Sequence, residues 1–187
     1  MCARNIISLQ DLNIEQDVRL MFDTNVWMFL IGPQIPEDRA EVHDYSQLLS
    51  DLLQRSIKIF CSDIIISELI NQHIKFNLSR YKSTVDKRAS PKEYRRSQNF
   101  IDDIQGILAA LEIIKMETII LPTMLDNAKL ENMFLDMQTG NNDFNDLIIA
   151  QTCLENNIKI VTHDYDYHGY DLDIVTVNQR LLYRPQV

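Results

Sequence analysis

Apolar positions in this chain fall into two patterns, short unbroken runs and longer stretches of helical period, with polar turns between them. The unbroken runs occupy 18–22, 57–62, 117–121, 158–162 and 173–177, each of strand length. Strands that are apolar at consecutive positions are those buried on both faces, as in a parallel sheet. Between them, Tyr45, Leu48, Leu49, Leu52 and Leu53 mark a helix over about 37–55, and Ile64, Leu69, Ile70 and Ile74 mark one from Ser62 or Asp63 to about Lys82. Phe100, Ile104, Ile107, Leu111 and Ile114 continue a helix that opens near Pro91, where a first-turn proline is tolerated. Shorter helices are predicted over 124–138 and 143–156, and Trp27 to Ile31 extend a helix directly from the first strand until Gly32, Pro33 and Pro36 break it. Residues 1–17 read as a polar lead-in with a short helix near 9–16. Strands alternating with helices of this length predict an α/β fold, its parallel sheet covered on both faces and its crossovers right-handed.

Composition narrows the class without changing that picture. The 187 residues suit one domain, 1–187, with the 71–116 segment as a helical arm inside it. Four glycines and five prolines leave little room for flexible linkers. Cys2, Cys61 and Cys153 do not make a disulfide framework and fit a reduced, cytoplasmic protein. No leader-like apolar segment opens the chain, and no apolar run approaches the ~18 residues of a membrane span, so no membrane partner is expected. The net charge of −9 argues against nucleic acid until its distribution is considered. Lys75, Arg80, Lys82, Lys87, Arg88, Lys92, Arg95 and Arg96 lie between His73 and Asn99, opposed there only by Asp86 and Glu93. A basic arm thus sits beside an acidic body, although such charges also serve simply as the solvated face of a helix.

Candidate chemistry begins at Asp23, which ends the first strand where Thr24 and Asn25 open a helix. A carboxylate there is at the carboxyl edge of the sheet, where open α/β folds place ligands, and is equally suited to capping the helix. Three further acids occur where the fold would bring them to the same edge. Glu68 is about a turn and a half into the helix after the second strand, Asp146 is in the first turn of its helix, and Asp164 lies two residues past the fourth strand. Singly, each has a plain structural reading as helix filler, dipole partner or turn residue. Asp143 shares a helix face with Asp146, and Asp166 follows Asp164, so both are additional candidates. Carboxylates gathered in one pocket repel, by about 1 kcal/mol per pair at 4 Å in water and several at lower effective dielectric. A divalent cation removes that penalty, and an oxygen-only donor set suits Mg²⁺ or Mn²⁺. Such a site fits phosphodiester hydrolysis.

The ordered set Phe22-Asp23-Thr24-Asn25, Ser62 with Glu68, Asp146-Leu147-Ile148-Ile149-Ala150 and Val161-Thr162-His163-Asp164 resembles the four motifs of PIN domains, metal-dependent ribonucleases that include VapC-like toxins. The resemblance spans roughly 18–177. It implies a three-layer α/β/α sandwich around a central, mostly parallel five-stranded sheet. It implies that Asp23, Glu68, Asp146 and Asp164 hold the metal and that Thr162 is the polar active-site residue, with Asn25 and Ser62 as weaker polar candidates. The chain is longer than the compact toxins, chiefly through its arm and lead-in, so a free-standing RNA-processing nuclease fits as well as a toxin. A toxin would bring an antitoxin protein as partner, and homodimers are common in the family.

Three functions follow. The first is a Mg²⁺/Mn²⁺-dependent endoribonuclease, with Thr162 orienting water or phosphate and Arg80, Lys82, Lys87, Arg88, Arg95 and Arg96 tracking RNA. Tyr81 and Tyr94 would either stack on bases or lie in the arm's core. The second is a non-catalytic RNA- or protein-binding module of the same fold, disfavoured because all four acids are present. The third, a phosphatase with an aspartyl nucleophile of the haloacid dehalogenase type, wants an Asp where this chain has Asn25.

Overall fold

A computed structural model describes residues 5–33, 39–140 and 143–183. Six strands appear among them: β1 (Asn5–Ser8), β2 (Leu20–Phe22), β3 (Ile59–Ser62), β4 (Thr118–Leu121), β5 (Lys159–Val161) and β6 (Asp173–Thr176). They form one sheet in the order β1-β6-β5-β2-β3-β4, and all five neighbouring pairs are parallel. Every residue of β2 and β3 is buried, as consecutive apolar positions require of strands covered on both sides. The helices are α1 (Thr24–Ile31), α2 (Ala40–Gln54), α3 (Asp63–Thr84), α4 (Pro91–Tyr94), α5 (Gln98–Glu117), α6 (Asn127–Met137), α7 (Phe144–Glu155) and α8 (Gln179–Leu182). Among the described residues no helix is long and apolar enough to cross a membrane.

The strand order explains where a site can form. From β2 the chain moves outward to β3 and β4, then returns to β2's other side as β5 and continues to β6 and β1's flank. The carboxyl ends of β2 and β5 therefore flank a topological switch point, where the helices leaving two adjacent strands diverge and open a crevice. The two strands are locked together there, since the Asp23 backbone N–H donates to the Val161 carbonyl at 3.0 Å. Trp27, Phe22, Tyr45, Ile59, Ile65 and Tyr167 form the core beneath that edge, all fully enclosed. Gly32 closes α1 by donating to the Met28 carbonyl. A Cβ at that position would stand 2.2 Å from the Met28 oxygen, so only glycine fits.

Four sequence expectations need correction. The sheet has six strands rather than five, because Asn5–Ser8, read as lead-in, pairs along its length with β6. Only Ile6 and Ile7 are apolar in it, between polar Asn5 and Ser8, so no longer apolar run marks the strand. The helix expected near 9–16 is a single 3₁₀ turn, Leu9–Asp11, capped by Ser8. The helix expected from Pro91 onward is split between α4 and α5. Ser90 and Glu93 form a capping box at the first start, and the Ser97 hydroxyl accepts from the Phe100 N–H at the second. Finally, β4 is an edge strand on which Ile119 and Ile120 are 44% and 41% exposed, so the 117–121 run is not covered on both faces. The expected start of α2 at residue 37, Pro36 and the Asn141-Asn142 turn lie outside the described residues.

Candidate functional site

Asp23 emerges from β2 with its side chain 4% exposed. One carboxylate oxygen accepts from the Thr24 N–H at 2.7 Å, so it does cap α1. The other accepts from the Thr162 hydroxyl at 2.8 Å and from the Asn25 amide. Glu68 is brought to the same place by α3, whose start is fixed where the Ser62 hydroxyl accepts from the Ile65 N–H. Its two oxygens are held separately: Thr24 donates its hydroxyl to one, and Asn145 donates its amide to the other at 2.7 Å. Asp146 sits in the first turn of α7, accepting from the buried Tyr167 hydroxyl at 3.3 Å. Asp164 follows β5, and its backbone N–H donates to the Thr162 hydroxyl at 3.0 Å.

These four acids, which come from four different segments, line one cleft of about 360 Å³. Asp143 lines it too while capping α7, whereas Asp166 faces a neighbouring cleft. Thr162 is fully buried beneath the acids, with Asp23, Asn25 and the Asp164 backbone all on its hydroxyl. Ser62 is likewise buried, and its hydroxyl is spent on the α3 cap. The sequence reading did not single out Asn145 or Tyr167, nor the wall formed by Asn71, Gln72 and Lys75, of which it named Lys75 only among the basic residues of the arm. That wall was readable, since these positions lie three, four and seven residues beyond Glu68 and so share its helix face. Nothing local marks Asn145 or Tyr167, whose roles depend on what lies opposite.

The electrostatics follow from this enclosure. Burial raises the Asp23 carboxyl to about 7; bonds from Thr162 and the Thr24 N–H pull it down in part, and the charges of Glu68 and Asp164 push it up. Asp146 is also raised to about 7, by burial and then by Asp23, Asp143, Asp164 and Glu68. Among the described residues, Lys75 is the sole basic side chain lining the cleft. Among them, too, no three His, Cys, Asp or Glu side chains, as placed, are grouped closely enough to hold an ion. The donor set nonetheless fits a hard divalent cation in kind: carboxylate and amide oxygens, no sulfur or imidazole, and an excess of negative charge that burial makes costly.

The basic positions lie along the arm built from the far half of α3, α4 and α5. Lys87, Arg88, Arg95 and Arg96 are exposed and Lys82 is half-buried. Arg80 is paired with Asp103. Tyr94 is 1% exposed, donates to Asp103 at 2.6 Å and packs against Tyr81 and Phe100. It is therefore the arm's core and no platform for bases.

A PIN domain family model matches residues 20–172, and the chain belongs to the PIN domain family. Among solved structures, it is similar to a chain of VapBC2 from Rickettsia felis bound to a DNA fragment from their promoter, at 18% identity over 84% of this chain and 98% of that one, with a TM-score of 0.46. It is also similar to a chain of FitAcB from Neisseria gonorrhoeae, at 17% identity over 83% and 96% of the two chains, with a TM-score of 0.47. A further similarity is to a chain of FitAB bound to an IR36 DNA fragment, at 16% identity over 84% and 94%, with a TM-score of 0.47. No curated protein matches by sequence.

Proposed function

We propose that this PIN-domain protein is a Mg²⁺- or Mn²⁺-dependent endoribonuclease. The observation that carries the reading is the arrival of Asp23, Glu68, Asp146 and Asp164, from four segments, in one cleft at the switch point of the sheet. These four would hold the metal. When bound, it supplies Lewis-acid stabilisation of charge on the phosphodiester oxygens and a water of lowered pKa.

The chain's own residues arrange the rest. Thr162 and Asn25 hold Asp23, while Thr24 and Asn145 clamp Glu68, so neither carboxylate is free to turn away from the cleft. Thr162 thereby acts by positioning carboxylates rather than by touching substrate. Lys75 at the cleft wall offers a cation to an incoming phosphate, and Lys82, Lys87, Arg88, Arg95 and Arg96 extend that path along the arm. Arg80, already paired, contributes to the arm's shape instead. The toxin role, with an antitoxin as partner, is an extension of this reading that rests on the sequence resemblance.

The test is cleavage of a structured RNA in Mn²⁺, with and without chelator, by wild type and Asp23→Asn. The variant is expected to lose about 10²–10³-fold in rate, the scale for removing one electrostatic element of a site. Equal cutting by the two proteins rejects the site. A non-catalytic module, by contrast, would show no heat of Mn²⁺ binding and no cutting by either protein.

A further inference from the structure

The acid cleft shares Asn25 and Asp164 with a second cleft, also about 360 Å³, within the range of ~300–1,000 Å³ typical of small-ligand sites. The second cleft differs in character. Its walls include Phe29, His163, Tyr165 and Arg180, three π-systems and a planar cation. The Arg180 guanidinium carbon lies 4.6 Å above the centre of the Tyr165 ring. Tyr165 in turn stacks on His168 with ring centres 4.5 Å apart and planes 25° from parallel. Phe29 and His163 meet edge to face at 5.5 Å, and the His163 ring is fixed by the Tyr45 hydroxyl.

Arg180 is exposed, and among the described residues its guanidinium makes no ion pair or hydrogen bond, although Asp164 and Asp166 line the same cleft. In a chain of net charge −9, an arginine that stands over an aromatic ring and has no acidic partner among the described residues is available to an outside partner. A guanidinium held this way offers a planar face to a nucleobase and in-plane N–H donors to a phosphate, the two features that recur along single-stranded nucleic acid.

We propose that this second cleft is a nucleotide subsite, which takes one nucleotide of single-stranded RNA beside the scissile bond with its base against the Arg180 guanidinium. The proposal rests on the endoribonuclease reading of the adjoining acids. It places substrate on both sides of the acids, between Lys75 and Arg180, rather than on the arm alone.

The experiment uses a labelled single-stranded RNA of about twelve nucleotides. Binding is measured by fluorescence anisotropy in chelator and cleavage at steady state in Mn²⁺, for wild type, Arg180→Ala, Arg180→Lys and Tyr165→Leu. Mn²⁺ titration of each protein reports on the acids independently. Arg180→Ala is expected to raise Kd and KM about tenfold, the scale for one stacked base, with the effect falling on KM rather than kcat and Mn²⁺ affinity unchanged. Arg180→Lys, which keeps the charge and loses the plane, should remain near the Ala variant, and Tyr165→Leu should show a similar loss. A wild type that binds and cuts RNA while Arg180→Ala matches it overturns the subsite alone. A wild type that neither binds nor cuts RNA overturns the reading of the acids, and the subsite with it.

Discussion

The acid cleft and the helical arm are both polar clusters built on α3, yet they are held together in opposite ways. In the cleft, side chains from four segments cross-link: Thr24 and Asn145 on Glu68, Thr162 and Asn25 on Asp23, Tyr167 on Asp146. The result concentrates negative charge that burial makes costly, as the raised carboxyls of Asp23 and Asp146 show. In the arm, one buried ring system carries the packing, and its polar hub, Asp103, is satisfied by Tyr94 and Arg80. The arm is arranged for stability. The cleft instead gathers desolvated carboxylates on one lining, at a cost in stability of the kind that functional sites commonly carry.

The largest test of that contrast is Tyr94→Ala. It removes the enclosed ring and leaves Asp103 short of a donor, at an expected cost of about 3–5 kcal/mol. Chemical denaturation would measure the loss, and hydrogen exchange should show it concentrated in α4 and α5. Protection lost equally across β2 and β5 would show that arm and sheet unfold as one unit. A smaller effect of opposite sign is expected for Asp146→Asn. The amide keeps an acceptor for Tyr167 and removes a desolvated charge, so the metal-free protein at pH 8 should gain about 1–2 kcal/mol, within the desolvation cost of a poorly compensated buried group. Thermal denaturation with and without Mn²⁺ checks it, since the variant should also lose most of any Mn²⁺-dependent rise in Tm. A destabilised variant would mean the cleft is held by its charges rather than despite them. The smallest effect is predicted for Lys87→Gln with Arg88→Gln. Both are exposed, so stability should shift by less than about 0.5 kcal/mol. RNA affinity should weaken, and its log–log salt slope should fall by roughly 0.7 for each phosphate that the variant no longer neutralises.

Much of the candidate site's layout could be read in the sequence because a strand-to-helix junction fixes where its next residues go. Asp23 follows β2 directly, Asp164 is the third residue past β5, and Glu68 and Asp146 follow helix starts marked by Ser62 and Asp143. Their meeting required only that these strand ends share an edge. The partners that hold the acids were less visible. Asn145 clamps Glu68 across 77 residues, and Tyr167 reaches Asp146 from a 3₁₀ turn, both decided by packing that no local pattern encodes. In the arm the failure was different, since the signal was present and unread. Ser90 with Glu93, and Ser97 seven residues on, are two helix starts, so one continuous helix from Pro91 was never the better reading. The lead-in strand Asn5–Ser8 is legible only once β6 is there to pair with it.

The unbroken course of α3 has a mechanical consequence. Glu68 and Arg80 ride on the same 22-residue rod, roughly 9 Å and 27 Å from its anchored end at Ser62. A tilt of about 5° about that anchor carries the Arg80 end through ~2.4 Å and the Glu68 backbone through ~0.8 Å, as a lever with a three-to-one ratio. A pull on the arm would therefore reach the Glu68 backbone at about a third of its amplitude, opposed there by the Thr24 and Asn145 bonds to that carboxylate.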